Sequence, residues 1–333
     1  MIKRFNTIVL SLAFILCLIS SSGGFDNNPN KLNPNDPNDP RQRDYTRENS
    51  IKPKDQGGYS GGHDTITAEG MLLKEQVHQQ TDPDGGVDFR NKMVREALPS
   101  LRTGAHDEDT YRYPLTDKYY ANDRPIGSNK DVDGDFFTHF LDPSKVYKTT
   151  LCTTDGCKEG YYDQGAGLKG AWPPATQRAR DYIKDIQKMI CEKGGIDKLS
   201  EDDKKKLYDD LGRIMHLIED MAQPAHTNND MHPFTPTFED YVRDNWGSIV
   251  RDVISQKVTQ SGYAGGGYNK GSASTPEEYL LSLAKISKGY HTDGLWGSIG
   301  DLNKDINDPA NSKLKENVDN LIPLAINFVG GYI

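Results

Sequence analysis

The sequence predicts an all-α protein, a single multi-helix domain with long irregular loops. Three observations support this fold class. Apolar residues recur at helical spacing in several segments, most clearly at Leu207, Leu211, Ile214, Ile218 and Met221. Helix-start patterns precede such segments, as where Ser200 is followed three residues later by Asp203 in an acidic variant of the capping box. No alternation typical of a strand extends over a useful length.

The same patterns locate the helices along the chain. We expect helices over 66–79, 89–101, 176–193, 201–221, 237–256, 279–288 and 313–329. Thr275 and Pro276 form the start of the sixth helix, and Gly330 and Gly331 are expected to end the last one. The stretch 103–174, rich in Gly, Pro, Asp and Tyr, is predicted to be irregular.

The first 57 residues differ from the rest of the chain. Residues 1–23 begin with Lys3 and Arg4, continue with an apolar run and end in small residues, which predicts a cleaved signal peptide and a secreted or periplasmic protein. Cys17 leaves a lipoprotein as the minor alternative. Residues 24–57 repeat Asn, Asp and Pro and are predicted to be a disordered linker. The domain then spans 58–333, and no transmembrane segment is expected in the mature chain.

Charge and cysteine content narrow the functional classes. The net charge is −9, so the chain offers no broad basic surface, and no stable nucleic-acid partner is expected. Cys152 and Cys157 bracket a short turn and are candidates for a disulfide in an oxidising compartment. Cys191 lies in a helical pattern, and we expect it to be a buried free thiol.

A cluster of potential metal ligands lies between residues 216 and 239. His216 and Asp220 are four residues apart on a predicted helix and therefore share one face. His226, His232 and Glu239 follow after Pro224 ends that helix. Imidazoles and carboxylates that converge from rigid elements are what a transition-metal site needs. The alternative is a set of ordinary histidines with one helical ion pair.

The pattern His216-x3-Asp220-x2-Gln223-Pro224-x-His226 resembles the core signature of the bacterial zinc-dependent phospholipases C, which also occurs in the related single-strand-specific zinc nucleases. Four further segments resemble family segments that carry metal ligands. These segments contain His63 in Gly62-His63-Asp64, Asp109 after Gly104, His139 in His139-Phe140-Leu141-Asp142-Pro143, and Glu239 in Phe238-Glu239-x-Tyr241-Val242. The resemblance extends over about residues 58–333 in the same order.

This resemblance implies an all-α fold of that family's type with two or three zinc ions. The first ion would be held by Asp109, His139, His216 and Asp220. The second would be held by His226, Glu239 and one further histidine, and the third by His63 with Asp220 as a bridging ligand. Asp109 is also the implied catalytic base or orienting group for the attacking water.

Two departures from the family pattern affect the second and third ions. The family histidine that lies four residues before the glutamate is replaced here by Thr235, and His232 is the nearest substitute. The family also uses an N-terminal tryptophan for the third ion, whereas the first tryptophan of this chain is Trp172. The number of zinc ions therefore stays open between two and three.

The resemblance implies a secreted phosphodiester hydrolase, with phospholipase C as the leading expectation and a phospholipid or membrane surface as its substrate. The alternatives are a secreted single-strand-specific zinc nuclease and an inactive metal- or ligand-binding member of the fold. The stretch from Asn129 to Asp135 resembles the first half of a calcium loop but lacks the glutamate at the twelfth position. It is either an irregular calcium site or a solvated acidic turn.

Overall fold

The structure is a computed structural model. It describes residues 45–52, 59–81, 90–108, 139–144, 146–153, 156–163, 175–228, 237–255, 275–290 and 312–332. Within these residues the packed body is helical, and the all-α prediction is confirmed. Among the described helices, none combines the length and the apolar character that crossing a membrane requires.

Within the described residues, the seven predicted helices are present in the predicted order, together with two short helices that were not predicted. They are α1 (Arg47–Ser50), α2 (His63–Thr81), α3 (Leu98–Asp107), α4 (Ala175–Lys193), α5 (Glu201–Asp220), α6 (Pro224–Asn228), α7 (Thr237–Ser248), α8 (Pro276–Ser287) and α9 (Ser312–Tyr332). A π-helical stretch leads into α3 and another continues α7, at Arg90–Ala97 and Ile249–Ile254, and a short 3₁₀ turn precedes α5 at Ile196–Lys198.

Helix α5 is the central element and begins at the predicted cap. The Ser200 hydroxyl accepts a hydrogen bond from the Asp203 backbone N–H at 3.2 Å, and the Asp203 carboxylate accepts one from the Ser200 N–H at 3.1 Å. The capping box is therefore confirmed. The apolar residues of α5 lie in the core, and α2, α3, α4, α8 and α9 all pack against this helix.

Two glycines allow α3 and α5 to cross at very short range. A methyl group on Gly104 would lie far inside van der Waals contact with the Asp209 carbonyl oxygen, and one on Gly212 would do so with the Leu101 carbonyl oxygen. Since backbone faces backbone on both sides, no flexible side chain could move to make room. This crossing brings the end of α3 against the second half of α5.

Helix α9 does not end at its glycines, so that prediction is wrong. It continues to Tyr332, and Gly330 instead lies against α2. A Cβ atom on Gly330 would lie 2.7 Å from the Gly70 carbonyl oxygen. The glycine serves a close helix crossing, which local sequence cannot distinguish from a helix stop.

The expectation that the chain lacks strands is wrong for one hairpin. Strand β1 (Val146–Thr153) pairs antiparallel with β2 (Gly156–Asp163) inside the stretch expected to be irregular. The register places Cys152 opposite Cys157. The disulfide between them stays a prediction that this backbone pairing favours. Cys191 is a free thiol as expected, but it is exposed rather than buried.

Part of the predicted linker is packed against the domain. Tyr45 is buried, and its hydroxyl donates to the fully buried Glu69 carboxylate on α2 at 2.7 Å. Arg47 donates to the same carboxylate at 2.6 Å, and the Tyr45 ring lies 4.7 Å from the ring of Tyr59. Disorder is therefore wrong for residues 45–52, and the packed domain begins before residue 58. The predicted signal peptide and residues 24–44 lie outside the described residues.

Replacing Gly212 with alanine is expected to destabilise the protein by about 1–3 kcal/mol, because the added methyl group forces α3 away from α5. In an unobstructed helix the same change would stabilise by up to about 1 kcal/mol. Denaturant unfolding of Gly212→Ala and of Gly289→Ala, where a Cβ atom meets only ordinary contacts, measures the difference. Equal stability of both variants and the wild type would contradict the close crossing.

Removing residues 1–52 is expected to cost about 1–3 kcal/mol relative to removing residues 1–44, because Glu69 would lose the Tyr45 and Arg47 donors and the buried Tyr45 ring would leave the core. Thermal unfolding of the two shortened chains tests this. Identical melting temperatures would show that the segment contributes nothing to the domain.

Candidate metal site

Five residues from four segments converge on one buried point. His63 is the first residue of α2, His216 and Asp220 lie in the last turns of α5, and His226 lies in α6. His139 comes from the short described segment 139–144. All five side chains are buried, and those of His63 and His216 are fully so.

The Asp220 carboxylate is the centre of this cluster. Its Oδ2 lies 2.7 Å from His139 Nδ1 and 3.3 Å from His216 Nε2. Its Oδ1 lies 3.5 Å from His63 Nε2 and 3.3 Å from His226 Nδ1. Each carboxylate oxygen therefore faces two imidazoles, an arrangement that suits a carboxylate shared between two ions.

The donor set fits zinc. One ligand atom each from His63, His216 and Asp220 lies within 4.8 Å of the other two. Imidazole nitrogens with carboxylate oxygens are the ligands that zinc takes when no thiolate is present. Burial lowers the pKa of His63 well below its usual value, and burial together with the nearby Arg178 does the same for the pKa of His139. Both rings are thereby kept neutral, which is the form that binds a metal.

Two of the imidazoles are oriented through their outer nitrogens. His216 Nδ1 lies 2.7 Å from the Ala105 carbonyl oxygen at the end of α3, and it donates to that acceptor. His63 Nδ1 lies 2.8 Å from Glu219 Oε2. In both rings Nε2 then faces Asp220, which is the orientation that a ligand needs.

Glu219 is a site residue that the sequence analysis missed. Its neighbour Asp220 was recognised by the motif, but the contact with His63 joins residues 156 positions apart, which no local pattern reveals. Burial raises the pKa of Glu219 well above its usual value.

The segment that carries His139 is fastened to two helices. The Leu141 N–H donates to the His226 carbonyl oxygen at 3.1 Å, and the ring of Phe140 stacks on that of His226 at 4.6 Å. Asp142 accepts a hydrogen bond from Lys288, which follows α8, at 2.5 Å. Burial acts to raise the pKa of Asp142, but the hydrogen bonds from Lys288 and Ser144 outweigh it and lower that pKa.

Glu239 reaches the site region through the glutamine of the motif. Gln223 Nε2 donates to Glu239 Oε1 at 2.6 Å, while Gln223 Oε1 accepts from the Ala225 N–H at 3.3 Å. These bonds link the first turn of α7 to the chain between Asp220 and His226. Glu239 is buried, and Gln223 holds its carboxylate against the turn that leads to His226.

Asp109 and His232, two of the predicted ligands, lie outside the described residues, as does the acidic stretch 129–135. The residue before Asp109 is described. Glu108 is fully buried and forms ion pairs with Arg178 and with Arg213, the latter at 3.1 Å. Its carboxylate also accepts from the Tyr182 hydroxyl at 2.6 Å. The chain is thus fixed at Glu108, the residue immediately before Asp109.

His106, which lies on α3 beside Asp107, is partly buried. Its Nδ1 lies 2.8 Å from Asp107 Oδ1. It therefore pairs with a carboxylate of α3 and is not among the five residues of the cluster.

Comparisons with known proteins show a distant structural likeness. No protein-family model matches the chain, and no curated protein matches it. One similar solved structure is the crystal structure of Clostridium perfringens alpha-toxin isolated from an avian strain, with a TM-score of 0.47 and 15% identity. The match covers 82% of this chain, which spans 62% of the alpha-toxin chain.

Replacing Asp220 with asparagine is expected to weaken zinc binding by more than roughly 100-fold, the upper end of the loss seen when only an outer partner of a ligand is removed. Asparagine keeps the shape of the side chain but removes the negative charge and replaces one of the two oxygens, each of which faces two imidazoles. Zinc titration by calorimetry measures it. The matched control is Asp210→Asn, a buried aspartate of the same helix that pairs with Lys206 at 2.7 Å. Unchanged affinity in Asp220→Asn would contradict a metal site here.

Proposed function

We propose that the chain is a zinc-dependent phosphodiester hydrolase that acts on phospholipid as a phospholipase C. The observation that carries this proposal is the buried Asp220 carboxylate with two imidazoles on each of its oxygens. Such a donor set is suited to clustered zinc ions, which are a common solution for phosphoryl transfer to water.

The candidate ligands form two sets, one around each oxygen of the Asp220 carboxylate. His139 and His216 share one Asp220 oxygen, and the resemblance assigns these three residues with Asp109 to the first ion. His63 and His226 share the other oxygen, and Glu239 lies close to His226 through Gln223. We infer that Asp220 would contribute to the binding of two ions and that His226 and Glu239 would hold part of the second set, with His232 as the candidate for its remaining histidine.

When bound, zinc supplies a water of lowered pKa and positive charge for the phosphoryl oxygens. The chain positions the reactants around this chemistry. Asp109 is the proposed base that takes a proton from the attacking water, and the ion pairs of Glu108 fix the backbone that leads to it. The reaction adds water across a phosphorus–oxygen bond and yields diacylglycerol and a phosphorylated headgroup.

The net charge of the chain supports phospholipid as the substrate class. With a net charge of −9 the chain has no excess of cations for a nucleic-acid backbone, which favours lipid over a nuclease substrate. The Phe238 and Val242 side chains, which belong to the segment that resembles the family, are buried. They therefore position Glu239 on α7 and do not touch substrate. The predicted signal peptide would deliver the enzyme outside the cytoplasm, where phospholipid surfaces are accessible.

The zinc-loaded protein is expected to release diacylglycerol and a phosphorylated headgroup from phosphatidylcholine vesicles, and to leave single-stranded DNA intact. A chelator is expected to abolish the activity and added zinc to restore it, with Asp220→Asn as the inactive control. Cleavage of DNA alone would favour the nuclease. Bound zinc without hydrolysis of either substrate would favour the inactive binding member of the fold.

A further inference from the structure

Glu219 connects α5 to the first turn of α2. Its Oε2 lies 2.8 Å from His63 Nδ1, and its Oε1 accepts a hydrogen bond from the Thr67 hydroxyl at 2.7 Å. His63 and Thr67 are one helical turn apart on α2. One carboxylate thus holds both ends of the turn that presents His63 to Asp220, and its side chain is fully buried.

The ring of His63 can serve as a ligand in one tautomer. Its Nε2 faces Asp220 Oδ1 at 3.5 Å, so a metal ion at the cluster would bind this nitrogen. A ligating nitrogen carries no proton, and the proton of the neutral ring must then sit on Nδ1. A carboxylate at Nδ1 accepts that proton in a hydrogen bond, fixes the ring plane and makes Nε2 a stronger donor.

We propose that Glu219 is a positioning residue of the metal site, which holds His63 in the ligating tautomer and, when a metal ion is bound, supplies a negative charge behind it. This inference rests on the proposed function, because it assumes zinc at the cluster. It assigns a role to a residue that the motif leaves unassigned, since His216-x3-Asp220 specifies nothing at position 219.

The hydrogen-bond partners of Glu219 support a role at the metal and not only in packing. They are a hydroxyl and an imidazole. Glu69, an equally buried carboxylate on α2, is instead paired with the guanidinium of Arg47. A buried carboxylate held only by neutral groups is costly, and a cation bound at His63 Nε2 would offset that cost through the ring.

The test compares Glu219→Ala, Glu219→Gln and the control Glu69→Gln. Zinc affinity is measured by competition with a chromophoric chelator, and stability by thermal unfolding of the zinc-free proteins. Glu219→Ala is expected to weaken zinc binding by about 10–100-fold. Glu219→Gln is expected to lose less, because its amide oxygen can accept from Nδ1 while its amide nitrogen donates to the Thr67 oxygen. Glu69→Gln is expected to lower the melting temperature and leave zinc affinity unchanged.

The outcomes separate this inference from the proposed function. A wild-type zinc affinity in Glu219→Ala would overturn the inference without contradicting the proposed hydrolase function. Equal weakening in Glu219→Ala and Glu69→Gln would also overturn it, since the effect would then be structural. A wild-type protein that binds no zinc would overturn both. If Glu219→Ala does not fold, Thr67→Val decides, since it removes the hydroxyl that orients Glu219; unchanged affinity there and in Glu219→Gln would overturn the inference.

Discussion

The close crossing of α3 and α5 is the constraint on which the rest of the site depends. Gly104 and Gly212 let the two backbones meet without intervening side chains. The residue after Gly104 is Ala105, whose carbonyl oxygen accepts from His216, one turn beyond Gly212. A larger residue at either glycine would separate the helices, and that hydrogen bond would lengthen with them. The orientation of the His216 imidazole therefore depends on two glycines that have no functional side chain.

A buried cluster of polar groups needs compensation, and the surrounding helices supply only part of it. His63, His216 and Asp220 are buried beside the apolar core. Their outer atoms are paired with Ala105 and Glu219, so the inner atoms are directed at one another. Such convergence costs free energy in the absence of a cation. The fold accepts this cost because packing elsewhere, at the α3–α5 crossing and between α2 and α9, is extensive.

The sequence predicts what depends on local pattern and misses what depends on distant contacts. The helices and the Ser200 cap follow from residues within a few positions of one another. The hairpin could also have been predicted from the sequence, because Asp155-Gly156 is flanked by β-branched and aromatic residues. The stretch was instead interpreted as irregular. The role of Gly330 and the packing of Tyr45 could not be predicted, since both depend on α2, hundreds or tens of residues away in the chain. The same holds for Glu219 and its contact with His63.

The structure gives a physical reason for each residue of the His216–His226 motif. Helix α5 ends at Asp220, so its carboxylate projects beyond the helix and two imidazoles can approach each oxygen. Gln223 uses both ends of its amide, accepting from Ala225 and donating to Glu239, and so sets the turn and recruits α7 in one step. Pro224 begins α6, which turns His226 back towards Asp220. The spacing thus lets one chain segment place an imidazole at each oxygen of a single carboxylate.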